Sequence, residues 1–134
     1  MKTGKQRGAA LVEFALILPV LLLVLLGIIE FGVILFDKAI ITNASREAAR
    51  ERVNYKAPNE TAIKTRILAS YANRPITFGS DTLTADDITF TPATDATGTY
   101  WTATVRYTYR FLYAPFGTTI NLTSSTTMRQ EASN

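Results

Sequence analysis

Few side chains in this sequence are placed to do chemistry. The chain has no histidine and no cysteine, so the commonest general base, the commonest metal ligand and any disulfide are missing. Asp86 and Asp87 could imitate a metal or acid–base pair, but neighbouring residues on a strand point to opposite faces, which favours an exposed acidic turn. No glycine-rich phosphate loop, nucleophile beside a base or metal-ligand spacing is found. We therefore expect no enzymatic activity, no metal site and no cofactor.

Glu13 is the acidic residue whose position needs an explanation. It lies near the start of an apolar segment, residues 8–36, in which Glu13 and Glu30 are the only charged residues. A carboxylate in a membrane helix is costly at the bilayer centre and less costly near the interface. Glu13 could therefore lie among the headgroups, but an ionisable residue in such a segment is also a functional candidate by default.

The apolar segment is long enough to cross a bilayer and follows the basic residues Lys2, Lys5 and Arg7. A secretory signal peptide would have a shorter apolar run and a small-x-small cleavage site, which is absent after Ile28. A plain single-span anchor accounts for the length and predicts a cytoplasmic N-terminus. That interpretation leaves Glu13 unexplained.

A third interpretation accounts for the whole pattern. The stretch Gly8-Ala9-Ala10-Leu11-Val12-Glu13-Phe14 resembles the processing site of Flp/Tad prepilins, in which a glycine is followed by four residues, a glutamate and an aromatic residue. Residues 7–19, 41–50 and 126–131 are each similar to TadE-like proteins. These are minor pilins or pseudopilins of the type IVb pilus used for tight adherence.

The resemblance implies that a membrane-embedded prepilin peptidase cuts between Gly8 and Ala9 on the cytoplasmic side. A glycine leaves the backbone open to the protease. The cut creates an ammonium group at Ala9, which Glu13 would neutralise in its own or a neighbouring subunit, because a buried unpaired charge is strongly unfavourable. Phe14 completes the motif. Pro19 removes a helix hydrogen bond and predicts a kink, either a weak point for assembly or a tolerated kink without a role.

The apolar periodicity predicts one long helix from Ala9 to about Val53. Its second half places Ile40, Ala44 and Ala48 on a core face and turns Asp37 and the alternating charges of residues 46–51 to water. A second helix is predicted from a cap at Asn59 or Thr61 to Tyr71. Strands are predicted at 76–78, 87–91, 100–112 and 119–129, with a turn at 114–117. Residues 101–111 alternate strictly, and their aromatic face is expected to pack on the long helix.

These patterns predict an α+β fold with a transmembrane helix at 9–36 and an extracytoplasmic head at 37–134 that includes the second half of the long helix. The resemblance adds a leader at residues 1–8 and implies a pilin-like plan. The predicted function is a minor pilin or pseudopilin in assembly of a Tad/Flp pilus, in the bacterial inner membrane with a cytoplasmic N-terminus, and either retained there or incorporated in the pilus. The expected partners are prepilin peptidase, other pilins or pilus-assembly proteins, and the lipid bilayer.

The dispersed net charge of +3 argues against nucleic acid. The alternative is a single-span membrane protein whose small head binds or senses an envelope partner.

Overall fold

The computed structural model describes residues 3–54, 59–77, 81–113 and 118–130, with the backbone alone for residues 3–7. The chain forms two α-helices, α1 (Thr3–Val53) and α2 (Glu60–Tyr71), and three strands, β1 (Ile88–Asp95), β2 (Gly98–Arg110) and β3 (Thr119–Arg129). A short 3-10 turn, Ala85–Asp87, precedes β1. The predicted α+β fold is confirmed.

Internal contacts divide the chain into two units, Met1–Gly32 and Val33–Asn134. The described part of the first unit consists of α1 alone, and most of its large apolar side chains are exposed. The helical stretch Gly8–Val53 is long and apolar enough to cross a membrane, and its most apolar window is not buried within the chain. A helix satisfies its own backbone hydrogen bonds, so such a segment can be stable in lipid. These properties indicate a single-pass membrane protein.

In the second unit, α1 contributes one stripe of small and branched residues to the core. Ile41, Ala44 and Ala48 recur at helical spacing and are fully buried. They belong to one apolar cluster with Ile63 and Ile67 of α2 and with the inward side chains of the sheet, Ile88, Ala103, Val105, Tyr107, Tyr109 and Leu122. The predicted packing of the aromatic face of residues 101–111 on the long helix is therefore confirmed.

The strands form one antiparallel sheet in the order β1-β2-β3. Register pairs run from Ile88↔Val105 to Asp95↔Gly98, and from Tyr100↔Arg129 to Arg110↔Thr119. The bounds of β3 agree with the prediction. The first strand continues to Asp95 through Pro92, which an edge strand tolerates because the missing N–H can face away from the sheet.

Other sequence expectations also differ from the structure. The strand predicted at 100–112 is β2, which begins at Gly98 and ends at Arg110. Ile76 and Thr77 are not part of a strand, while Phe78 and the predicted turn at 114–117 lie outside the described residues. Asp87 ends the 3-10 turn rather than beginning a strand, because its Oδ2 accepts hydrogen bonds from the Thr84 backbone and hydroxyl at 2.8 and 2.6 Å. The helix predicted from Ala9 begins at Thr3.

Asp37 was expected on the solvent face of the helix, and this prediction was wrong. The residue is fully buried, and its Oδ1 accepts a hydrogen bond from the Ile76 backbone N–H at 2.8 Å. Asp37 therefore holds the segment after α2 against α1. Its other oxygen, Oδ2, is buried without a hydrogen-bond partner among the described residues.

Hydroxyl groups join α1 to β3 inside the second unit. The buried Ser45 hydroxyl donates to the Thr42 carbonyl at 2.9 Å, and its oxygen lies 3.2 Å from Ser124 Oγ and 2.9 Å from Thr126 Oγ1. Ser124 also donates to the Thr42 hydroxyl at 3.2 Å. Buried polar groups are costly when unpaired, so this cluster specifies how β3 sits on the helix.

We expect Ser45→Ala to lower the free energy of unfolding by about 1–2 kcal/mol, because the Ser124 and Thr126 hydroxyls lose a buried partner. Ser125→Ala is the matched control: Ser125 contacts Thr104 on the exposed face, and its loss should cost less than about 0.5 kcal/mol. The measurement is denaturant unfolding of the full chain in detergent, followed by the fluorescence of the single tryptophan, Trp101. Equal losses for both variants would contradict a structural role for the cluster.

Candidate functional site

The residues singled out from the sequence lie on the first part of α1. Gly8, Ala9, Glu13 and Phe14 are all exposed positions of this helix. Ala9 and Glu13 are four residues apart, which places them on the same helix face about 6 Å apart along the axis. The structure therefore brings Glu13 next to the position at which a new amino group would arise if the chain were cut after Gly8.

The fold places no demand on Gly8. A Cβ built at this position meets nothing within 4 Å, unlike at Gly98, where φ is +142° and a Cβ would lie 3.1 Å from Arg129 Nε. Among the described residues, packing therefore gives no reason for a glycine at position 8, and a glycine there leaves the backbone open.

Pro19 lies inside α1, and the helix continues on both sides of it. Proline deprives one carbonyl of its usual N–H partner, which weakens the helix at that turn. The predicted role of this weak point in assembly stays a prediction.

The second half of α1 carries polar contacts that the sequence did not reveal. Glu47 Oε2 accepts a hydrogen bond from the Tyr71 hydroxyl at 2.7 Å, which raises the pKa of that phenol. One turn further on, Glu51 Oε1 pairs with Arg66 at 3.0 Å. These two carboxylates, four residues apart, hold α2 against α1. The alternation of charges in residues 46–52 suggested only a solvated helix face.

Arg52 makes a further contact that sequence reasoning missed. The central carbon of its guanidinium lies 3.7 Å from the centroid of the Trp101 ring, within the range of a cation–π interaction. The alternation of side chains along β2 predicted that Trp101 points to the inner face of the sheet. Nothing in the local sequence identified its partner, because the two residues are far apart in the chain.

In the part of the chain that the structure describes, no group of three or more acidic side chains is placed to hold a metal ion. The contacts around α1 are those of a packed helix: apolar contacts, buried hydroxyls and carboxylates paired with a neighbouring element. Together with the exposed apolar stretch, they define a membrane-anchored protein with a small α+β head.

Comparison with known families agrees with this class. The family model described as TadE-like protein matches residues 8–50. The match begins at Gly8 and ends in the last turn of α1, so the resemblance predicted from the sequence is confirmed over this segment. The match covers 43 of the 134 residues, less than half of the chain, so it shows a likeness of α1 to these proteins. No curated protein and no solved structure matches the chain.

Proposed function

We propose that this protein is a minor pilin or pseudopilin that takes part in assembly of a Tad/Flp pilus after a prepilin peptidase has cut it between Gly8 and Ala9. The observation that carries the proposal is the family match, which begins at the glycine in question and includes Glu13. It is supported by the exposure of both residues on α1 and by the absence of any packing reason for Gly8.

The proposal assigns a role to each part of the chain. Residues 1–8 are a leader that stays on the cytoplasmic side, residues 9–36 span the inner membrane, and residues 37–134 form the extracytoplasmic head. The basic flank before the apolar stretch supports this orientation. The head contacts other pilins or pilus-assembly proteins. The assembled pilus then serves tight adherence and cell adhesion.

The chemistry of Glu13 follows from the cut. Removal of residues 1–8 leaves a positively charged amino group at Ala9, one helical turn from Glu13. In a bundle of apolar helices this ammonium needs an anionic partner, since an isolated charge in a low dielectric is strongly destabilising. Glu13 of the same or a neighbouring subunit supplies that partner. Phe14 adds an exposed aromatic ring beside it for contact with lipid or a neighbouring helix.

The requirement for glycine at the cut can be tested by coexpressing the full chain with a Tad-type prepilin peptidase. We expect Gly8→Ala to slow removal of residues 1–8 by about 100-fold, because a side chain at the scissile position displaces the backbone from the protease. Gly32→Ala is the matched control, since a Cβ there also meets nothing within 4 Å. The measurement is the processed fraction by intact mass. Normal cleavage of Gly8→Ala would count against the assigned cut.

The role of Glu13 is tested separately from cleavage. We expect Glu13→Gln to be cut normally but to reduce the number of pili by about tenfold or more, because the new ammonium lacks its partner inside the helix bundle. Glu60→Gln removes a carboxylate from the exposed pair with Lys64 and should leave pilus number unchanged. The measurement is a count of pili per cell by electron microscopy. Wild-type piliation of Glu13→Gln would refute the pairing.

A further inference from the structure

The sheet has an outer face, turned away from the apolar core, whose chemistry differs from that of the inner face. Successive side chains of a strand point to opposite faces, so the residues between the buried ones belong to this side. In β2 and β3 these residues are exposed or half-exposed, while their neighbours are buried in the core. The outer face is therefore open to a ligand.

Two rows of hydroxyl groups cross the outer face. The strand register aligns them as Thr91-Thr102-Thr127 and Thr89-Thr104-Ser125. The hydroxyl oxygens of Thr102 and Thr127 lie 2.7 Å apart, and those of Thr104 and Ser125 lie 2.8 Å apart. In each pair one hydroxyl donates to the other, which leaves one O–H donor and free lone pairs for a ligand.

A polar hollow lies beside these rows on the same face. It has a volume of about 470 Å³ and is lined by Asp87, Arg106, Thr108, Asn121 and Thr123. This volume is in the range of small-molecule sites. The Thr108 hydroxyl donates to Asn121 Oδ1 at 3.0 Å, so the amide nitrogen of Asn121 keeps its two donors for a ligand.

Two charged groups stand in the hollow without pairing with each other. The register that aligns Ile88 with Val105 brings Asp87 beside Arg106. Asp87 Oδ2 accepts hydrogen bonds from Thr84, which leaves Oδ1 as an acceptor. The side chain of Arg106 is exposed and has no ion-pair partner in the part of the chain that the structure describes. The hollow therefore offers a cationic donor and an anionic acceptor side by side.

The composition of the hollow argues for one class of ligand. Threonine is common on exposed strand faces because of its β propensity, but that preference does not account for a hollow lined by a carboxylate, a guanidinium and an amide. Protein interfaces have an apolar or aromatic centre, which none of the five lining residues supplies. Asp87 balances the charge of Arg106, which disfavours a polyanion. A neutral, hydroxyl-rich ligand fits, because each of its hydroxyls both donates and accepts.

We propose that the outer face of the sheet binds a neutral glycan, with one sugar unit in the hollow. Asp87 accepts from sugar hydroxyls, and Arg106 and the amide of Asn121 donate to sugar oxygens. Carboxylate and guanidinium groups are planar, so each can bind two neighbouring hydroxyls at once. The hydroxyl rows lie about 7 Å apart along the strands, so further units of the same glycan chain would meet Thr104 and then Thr102.

This inference rests on the second unit alone and not on processing or on a role in pili. It is tested on the full chain with isotope-labelled threonine methyl groups, observed by NMR in dodecylphosphocholine micelles, whose headgroup contains no sugar. Thr108 and Thr123 report on the hollow. Thr65, an exposed residue of α2, is the matched control position.

The probes are neutral oligosaccharides of glucose, mannose, galactose and N-acetylglucosamine, together with the acidic hexagalacturonate. For at least one neutral oligosaccharide we expect saturable shifts at Thr108 and Thr123 with a Kd of about 1 mM, and none at Thr65. Arg106→Ala and Asn121→Ala should each raise this Kd at least about tenfold, because each removes donors to the sugar. Arg106→Lys should also weaken binding, since lysine lacks the planar fork.

Arg46→Ala is the matched control variant, because it removes an exposed arginine on α1 and should leave the Kd unchanged. All four substitutions are at exposed positions, and the threonine spectrum without sugar verifies that each variant is folded.

Four results would overturn the proposal and can be told apart. No shift at Thr108 and Thr123 with any neutral oligosaccharide would show that the hollow does not bind glycans. An unchanged Kd in Arg106→Ala would place binding elsewhere. Binding of hexagalacturonate alone would make Arg106 an anion site. Changes at the same resonances on dilution without sugar would show that a second copy of the chain covers the face. None of these results bears on cleavage after Gly8, which is measured by mass.

Discussion

A three-stranded sheet has an apolar face that it cannot bury by itself, and this requirement determines how the rest of the head is built. The second half of α1 covers the face with Ile41, Ala44 and Ala48, and α2 adds Ile63 and Ile67. Alanines allow a close approach of helix and sheet, and a sheet with one apolar face must bury that face against another element. The second half of α1 is therefore part of the core of the head.

Polar contacts then select one arrangement of this apolar core. The Ser45 cluster fixes β3 on α1, Glu47 and Glu51 fix α2, and Asp37 fixes the segment that follows α2. Each bond joins α1 to an element distant in sequence. These bonds tie the separate elements of the head to the same stretch of α1.

Local signals predicted much of the fold. The Asn59 side chain accepts from the Ala62 N–H as expected of a helix cap, and the alternation of residues 101–111 gave the inward face of β2. The burial of Asp37 could not be predicted from periodicity, because its hydrogen-bond donor at Ile76 is 39 residues away. Similarly, the strand predicted at 87–91 continues to Asp95, and its place on the edge of the sheet explains why it can pass through Pro92.

The candidate site differs from the fold in how much of it the sequence predicted. Glu13 was singled out from the sequence pattern and Gly8 and Ala9 through the resemblance to prepilins, and the helix places Ala9 and Glu13 on one face. Their roles depend on a protease and on neighbouring subunits, so the packing of the chain gives them little support of its own: a side chain at position 8 would meet nothing. By contrast, Ser45 and Arg52 act within the chain and were found only from the structure.

The central claim is that this helix is cut as a prepilin. The most direct measurement is the intact mass and N-terminal sequence of the protein taken from its native membrane, in strains with and without the prepilin peptidase. Our account predicts that the mature chain begins at Ala9 only when the peptidase is present, and that residues 1–8 remain when it is absent. A chain that still begins at Met1 in both strains would contradict it and favour a single-span membrane protein with a binding or sensing head.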